Sequence, residues 1–97
     1  MVRAAWSTIV RSPAGEEITV VKLSRGIVAN RWNAQRVINA VRASGPLSRM
    51  ALDVVVMDGE PADEPRVMGS CAGAEDFVRR VGHELADYPW HLLKLDW

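Results

Sequence analysis

The chain has 97 residues, of which 48% are hydrophobic and 25% are charged, and its formal net charge at pH 7 is zero. These proportions are typical of a globular protein, and the length predicts one domain, residues 1–97. The longest apolar run, Val54–Met57, is far shorter than the ~20 residues of a membrane span, and no signal peptide is predicted. A single cysteine cannot form an internal disulfide. We therefore expect a cytoplasmic protein without membrane contact.

The charges are distributed unevenly along the chain. Residues 1–50 hold eight basic and two acidic residues, a balance of +6, whereas residues 51–97 hold four basic and ten acidic residues, a balance of −6. Such a split is typical of a surface for nucleic acid or an acidic partner, or of complementary self-association. The alternative is that the two halves fold together and the charges intermix on the surface.

The first two elements in chain order are predicted strands. Residues 4–11 alternate between apolar and polar side chains, and residues 18–23 are rich in β-branched side chains. The segment between them contains Pro13 and Gly15, which are typical of a turn. The sequence therefore predicts a β-hairpin.

The next element, residues 28–43, has the period of an amphipathic helix, and Gly45 and Pro46 follow it as a stop signal. Trp32 lies roughly opposite the apolar face of this helix. Because Trp and Arg are enriched among the residues that dominate interfaces, this polar face predicts a partner-binding surface. Its predicted members are Arg31, Trp32, Arg36 and Asn39. The alternative is that Trp32 folds back over a loop.

The second half of the chain repeats the order of hairpin and helix. A strand over 49–57 is followed by an acidic loop with two prolines, a weaker strand over 66–71, a helix over 74–88 and a last strand over 90–97. The order β-β-α-β-β-α-β predicts an α+β fold, a two-layer sandwich with a mainly antiparallel sheet and two helices on one face. It corresponds to the ferredoxin-like order with an extra N-terminal strand, although the order of strands in the sheet is left open.

A two-layer sandwich leaves one face of its sheet open, and that face predicts self-association. Trp90, Leu92, Val55 and Met57 alternate onto this face. A contiguous apolar patch of this kind favours burial against a second copy, so a homodimer is expected.

The small-residue turn Gly69–Gly73 holds the only cysteine, Cys71, directly before the second helix. A helix N-terminus can lower the pKa of a thiol, but the acidic residues Glu75 and Asp76 in the first turn oppose this. No phosphate-loop motif or zinc-site spacing is present in the sequence. We therefore predict a structural turn, with no catalytic residue, metal ligand or cofactor.

Three functions remain open at this point. The leading hypothesis is a non-enzymatic interaction module that self-associates or docks on a partner protein. The first alternative is a dimeric small-ligand-binding or enzymatic domain, in which Cys71 and His91 would be the reactive groups. The second alternative is nucleic-acid binding through the Arg-rich first helix, which the neutral overall charge disfavours.

Overall fold

The computed structural model describes residues 5–24, 31–43, 53–64, 66–71 and 73–93. These residues form a small α+β fold, as the order of predicted elements indicates. The elements are β1 (Ala5–Arg11), β2 (Glu17–Leu23), α1 (Arg31–Ala43), β3 (Asp53–Asp58), β4 (Arg66–Ser70), α2 (Glu75–Arg80), a 3₁₀ segment (Gly82–Asp87) and β5 (His91–Leu93). Parts of the predicted elements lie outside the described residues, namely 4, 28–30, 49–52 and 94–97. Within the described ranges, none of the helices has both the length and the apolar character that crossing a membrane requires.

The five strands form one sheet in the order β4-β3-β2-β1-β5. Three of the four pairings are antiparallel, and the exception is the parallel pair of β2 and β3. β1 and β2 form the predicted hairpin, with Ala5 opposite Leu23 and Arg11 opposite Glu17. The parallel pairing requires a crossover between β2 and β3, and α1 lies on that connection.

The predicted ferredoxin-like order is wrong for this sheet. That order would place β4 between β2 and β3, whereas here β3 pairs directly with β2 and β4 lies at the edge. The N-terminal strand β1 occupies the other side of β2, so the last strand, β5, pairs with β1 instead. The extra strand has thus displaced the C-terminal one.

The prediction that both helices lie on one face of the sheet is also wrong. α1 packs on one face against alternate residues of the central strands, with Val21 of β2 and Val54 of β3 among them. The intervening residues point to the other face, where Val20 and Val55 pack against α2 and the 3₁₀ segment. Both central strands are apolar on both sides, and burying both sides requires a layer of helix on each. The described residues therefore form three layers.

The second predicted helix is α-helical only in its first half. Its α-helical part ends at Arg80, and the chain continues as a 3₁₀ segment from Gly82 to Asp87. Glycine weakens a helix interior, and Gly82 lies where the change occurs. The predicted apolar face is nevertheless maintained, because Val78 and Leu85 are both fully buried under the sheet.

Candidate functional site

The edge strand β4 presents backbone groups that no described strand pairs with. The Cys71 amide donates to the Val54 carbonyl oxygen at 2.9 Å, so it points inward to β3. Since successive residues of a strand direct their amides to opposite sides, the Ser70 amide points outward. Ser70 lies opposite Val55 in the register, which agrees with a pair that exchanges no hydrogen bonds. The N–H and C=O of Ser70 therefore lie on the side of β4 that is open among the described residues.

A groove of about 370 Å³ follows this edge, and we call it the edge groove. Its floor is β4, from Val67 to Ser70. One wall is α1, which contributes Gln35 and Ile38, and the other is α2, which contributes Glu75 and Arg79. The strand edge is thus flanked by a helix on each face of the sheet.

α1 approaches β4 closely because Gly69 has no side chain. A Cβ atom on Gly69 would lie 3.0 Å from Cβ of Ala34 and 3.5 Å from Cδ1 of Ile38. A β-bulge next to this point leaves Met68 as an extra residue, since Val56 pairs with Gly69 but Met57 pairs with Val67. The close approach sets the width of the groove on the α1 side.

The two helices that flank the edge groove are rich in arginine, although Arg79 is the one arginine in the described part of its lining. α1 contains three arginines and no acidic residue, and α2 contains two arginines and two acidic residues. Glu75 and Arg79 form an ion pair one helical turn apart on the α2 wall. Gln35 on the α1 wall donates from Nε2 to Oδ1 of Asn39 at 2.9 Å. Among the described residues, the charged side chains that line the edge groove are Glu75 and Arg79, which balance each other, so the net charge of +3 belongs to the two helices as a whole and not to the groove.

The structure describes the side chains of two of the four predicted partner-binding residues. Arg36 and Asn39 are exposed on α1, next to the groove-lining Gln35. Arg31 and Trp32 belong to the first turn of α1, but their side chains lie outside the description. The partner-binding role of these four residues stays a prediction.

The four residues of the predicted oligomer face do not share an open surface. Val55 and Met57 are fully buried beneath α2 and the 3₁₀ segment. Trp90 is partly buried and its Nε1 donates to the Leu85 carbonyl oxygen at 2.8 Å. Leu92 alone is largely exposed, at 70%. The prediction that Val55 and Met57 face outward is therefore wrong, because a second helical layer covers them.

The two candidate reactive groups of the enzymatic alternative lie at opposite edges of the sheet. Cys71 directly follows β4 and packs partly buried against the α1-side core, whereas His91 is exposed on β5. Four strand spacings separate these edges, which is roughly 19 Å. The fold thus does not bring Cys71 and His91 together. Among the described residues, no three His, Cys, Asp or Glu side chains are grouped to hold a metal ion.

The sequence analysis missed Lys22, which is fully buried on the α2 side of β2. Its Nζ donates to three main-chain carbonyl oxygens, those of Asp63 at 2.7 Å, Glu60 at 2.9 Å and Pro61 at 3.2 Å. Nζ also lies 5.9 Å from the ring centroid of Trp90, within the range of a cation–π interaction. The ammonium has three hydrogens, and each has an acceptor. Lys22 therefore fixes the acidic loop between β3 and β4.

The acidic loop is closed by its own hydrogen bonds as well. The Glu60 amide donates to Oδ2 of Asp63 at 2.8 Å, and the Asp63 amide donates to the Glu60 carbonyl oxygen at 2.9 Å. Gly59 starts the turn with φ of +118°, a conformation that side-chain-bearing residues rarely adopt. The loop is a folded structure that leads into the first residue of β4, and its acidic groups stay near Arg66.

Burial lowers the pKa of the Lys22 ammonium below its ordinary value of 10.5, while the nearby Asp63 and Glu60 carboxylates act in the opposite direction. The folded protein therefore loses this proton at a lower pH than the unfolded chain does. Between the two pKa values the unfolded chain binds more protons, so the free energy of unfolding should increase with pH. Below the folded pKa the ammonium is charged in both states, and its contribution to the slope disappears.

We expect this pH dependence to be visible when the wild type is compared with Lys22→Met, which lacks the titrating group. Urea titrations at several pH values up to about 10.5 give the free energy of unfolding of each protein. The wild-type value minus the Lys22→Met value should increase as pH rises. Subtracting the value for the variant removes the contributions of the other titrating groups, which both proteins share. A difference that moves against the wild type over this interval would show that the fold raises the pKa of Lys22.

Comparison of the chain with protein-family models, with curated proteins and with solved structures finds no match.

Proposed function

We propose that this chain is a non-enzymatic interaction module that docks on a partner protein through the edge groove. The observation that carries the proposal is the edge of β4 between two helices, where none of the described strands pairs. Open strand edges readily pair with other chains, and proteins that do not use them usually cover or shorten them. Here α1 and α2 flank the edge and leave a groove along it. We further propose a cytoplasmic location, in which Cys71 would remain reduced.

The predicted partner-binding face of α1 adjoins the edge groove through Asn39, which lies one helical turn from the groove-lining Gln35. Gln35 lines the edge groove and is hydrogen-bonded to Asn39, and Arg36 is its neighbour in the chain. On the helix, Trp32 precedes Arg36 by four residues, so their backbone positions are one turn apart. A partner seated in the groove could therefore extend over the exposed side of α1.

Self-association remains a second form of the proposal. Leu92 is 70% exposed on β5, at the edge of the sheet opposite the edge groove, and Trp6 is its partner in the register. An exposed leucine next to a half-buried tryptophan would suit a second copy, although the buried Val55 and Met57 no longer contribute. Docking through the edge groove is the form that the geometry favours.

Site-directed photo-crosslinking in living cells tests the docking surface. A benzoylphenylalanine placed at Gln35, on the groove wall, should form covalent adducts with a small set of proteins. The matched control is the same substitution at His83, which is exposed but does not line the groove. Mass spectrometry should locate the adducts at position 35 and find few at position 83. Equal adducts at both positions, or none at 35, would contradict the proposal.

A further inference from the structure

We propose that the edge groove binds an uncharged, extended peptide segment, which pairs with β4 as an additional strand. This inference rests on the proposed function and specifies the ligand of the same surface. Three features of the described residues support it: the direction of the backbone groups at the edge, the half-buried apolar side chains of β4, and the balanced charge of the lining.

The backbone groups of β4 fit an extended polypeptide. The N–H and C=O of Ser70 point away from β3, so they offer one donor and one acceptor to an occupant of the groove. A peptide in β conformation presents the complementary groups at every second residue along one edge. A helix lacks this repeat, because its backbone groups are already paired within it. The occupant should therefore be a strand, with affinity supplied by main-chain pairing.

The side chains of β4 carry apolar surface that the neighbouring elements cover only in part. Val67 packs against the core under α2 and Met68 against the core under α1, and both are only half-buried. In contrast, Val55 and Val56 of the adjacent β3 are fully buried. A strand laid along β4 would extend the cover on both faces, because its side chains alternate between them. Removing this apolar surface from water would favour binding.

The charge of the lining is balanced, which selects an uncharged segment. Among the described residues around the groove, only Glu75 and Arg79 are charged, and they form an ion pair with each other. A charged ligand side chain would leave water without gaining an uncompensated partner, at a cost in free energy. Ligand residues that face α2 should therefore be polar and uncharged. Those that face α1 should be apolar, since Met68 and Ile38 line the groove on that side.

Two other classes of occupant fit this lining less well. The phosphates of a nucleic acid would find no surplus of positive charge in the described part of the groove. The β4 edge of a second copy would bring its own α1, which packs closely over β4 at Gly69. Paired strands lie about 4.8 Å apart, whereas a helix with its side chains is about 10 Å wide, so the two α1 helices would crowd each other. A single extended segment meets neither obstacle.

The test uses the full chain and a displayed library of random peptides of about ten residues, the upper length of common strands. Selected peptides should alternate apolar and uncharged polar residues and should be depleted in Asp, Glu, Lys and Arg. Their affinity should change less than about twofold between about 0.1 M and about 1 M salt, since binding neutralises no net charge.

Two variants test whether the balanced ion pair sets this preference. Glu75→Gln leaves the Arg79 guanidinium uncompensated, and Arg79→Gln leaves the Glu75 carboxylate uncompensated. Both side chains are partly exposed and such pairs contribute little to folding, so both variants should fold. Selection on Glu75→Gln should enrich acidic peptides, and selection on Arg79→Gln should enrich basic peptides, relative to the wild type.

The strand pairing is tested from both sides. Ser70→Pro removes the outward amide without removing a bond to β3, because proline is tolerated at an outward edge position. It should bind the best peptide at least about tenfold more weakly than Ser70→Ala, which retains that amide. Single N-methylation along the peptide should abolish binding to the wild type at alternate positions, since only every second amide faces β4. This second measurement keeps the test decisive if Ser70→Pro does not fold.

The inference is overturned if no peptide is selected, if charged peptides bind the wild type as well as uncharged ones, or if neither charge variant shifts the selection. It is also overturned if methylation has no period of two, or if a single-stranded oligonucleotide binds as tightly as the best peptide. Sedimentation of the free chain as a dimer that Ser70→Pro dissociates would assign the edge to a second copy instead. Crosslinks from position 35 that persist in any of these cases would preserve the proposed function while this ligand is rejected.

Discussion

Replacing Lys22 with alanine should lower the free energy of unfolding by about 3 kcal/mol or more, because three main-chain carbonyl oxygens in partly buried hydrogen bonds lose their donor at a cost on the order of 1 kcal/mol each. The lost packing of the side-chain stem adds to this, since Lys22 is fully buried. A loss of about 3 kcal/mol is a large part of the total stability of such a domain, which is about 5–15 kcal/mol. It should lower the melting temperature by roughly 12 °C or more.

The matched control for Lys22→Ala is Glu60→Ala. Only the main-chain carbonyl of Glu60 accepts the hydrogen bond from Lys22, and alanine keeps that carbonyl. The Glu60 side chain is exposed, so its removal should change stability by no more than about 0.5 kcal/mol. Urea unfolding of both variants measures the difference. If Lys22→Ala proved as stable as Glu60→Ala, the ammonium would not be what secures the acidic loop.

The second large effect is expected at Met57. Met57→Ala should destabilise the fold by about 2–5 kcal/mol, because the side chain is fully buried between the sheet and the second helical layer. A two-layer sandwich with Met57 on its open face would instead lose only about 0.5 kcal/mol.

Leu92→Ala provides the comparison for Met57→Ala, since the sequence places both residues on the same predicted face. Leu92 is 70% exposed, so its truncation should leave the free energy of unfolding within about 0.5 kcal/mol of the wild type. Thermal or urea unfolding distinguishes the two variants directly. Similar small losses at both positions would contradict the three-layer arrangement.

The sequence predicts the elements of this fold well, because each element depends on local periodicity. The predicted helix over 28–43 corresponds to α1 at Arg31–Ala43, and the predicted strand over 18–23 corresponds to β2 at Glu17–Leu23. The number of layers was mispredicted even though a signal existed. The continuous run Val54–Met57 is typical of a strand buried on both faces, and a second helical layer follows from it.

The order of strands could not be predicted in the same way. Whether β3 or β4 pairs with β2 depends on contacts between segments that are far apart in the chain, and both strands satisfy the local pattern. The open edge at β4, and with it the edge groove, is a consequence of that order. The sequence pattern marks Cys71 as a candidate reactive group, but the neighbouring Ser70 is the residue whose amide points away from β3 at the edge of the sheet.

The role of Lys22 also depends on long-range contacts, with partners about 40 residues away in the chain. Its one local signal is a charged residue within the otherwise apolar end of β2, Val20–Leu23. Such a position predicts burial of a lysine, which requires compensating acceptors, but the local sequence does not identify those acceptors.

Amide hydrogen exchange of the free protein, followed by NMR, tests the open edge of β4 most directly. The Cys71 amide is bonded to the Val54 carbonyl oxygen and should exchange slowly, whereas the outward Ser70 amide should exchange at least about tenfold faster. A Ser70 amide that exchanges as slowly as Cys71 in the free protein would contradict docking at this edge.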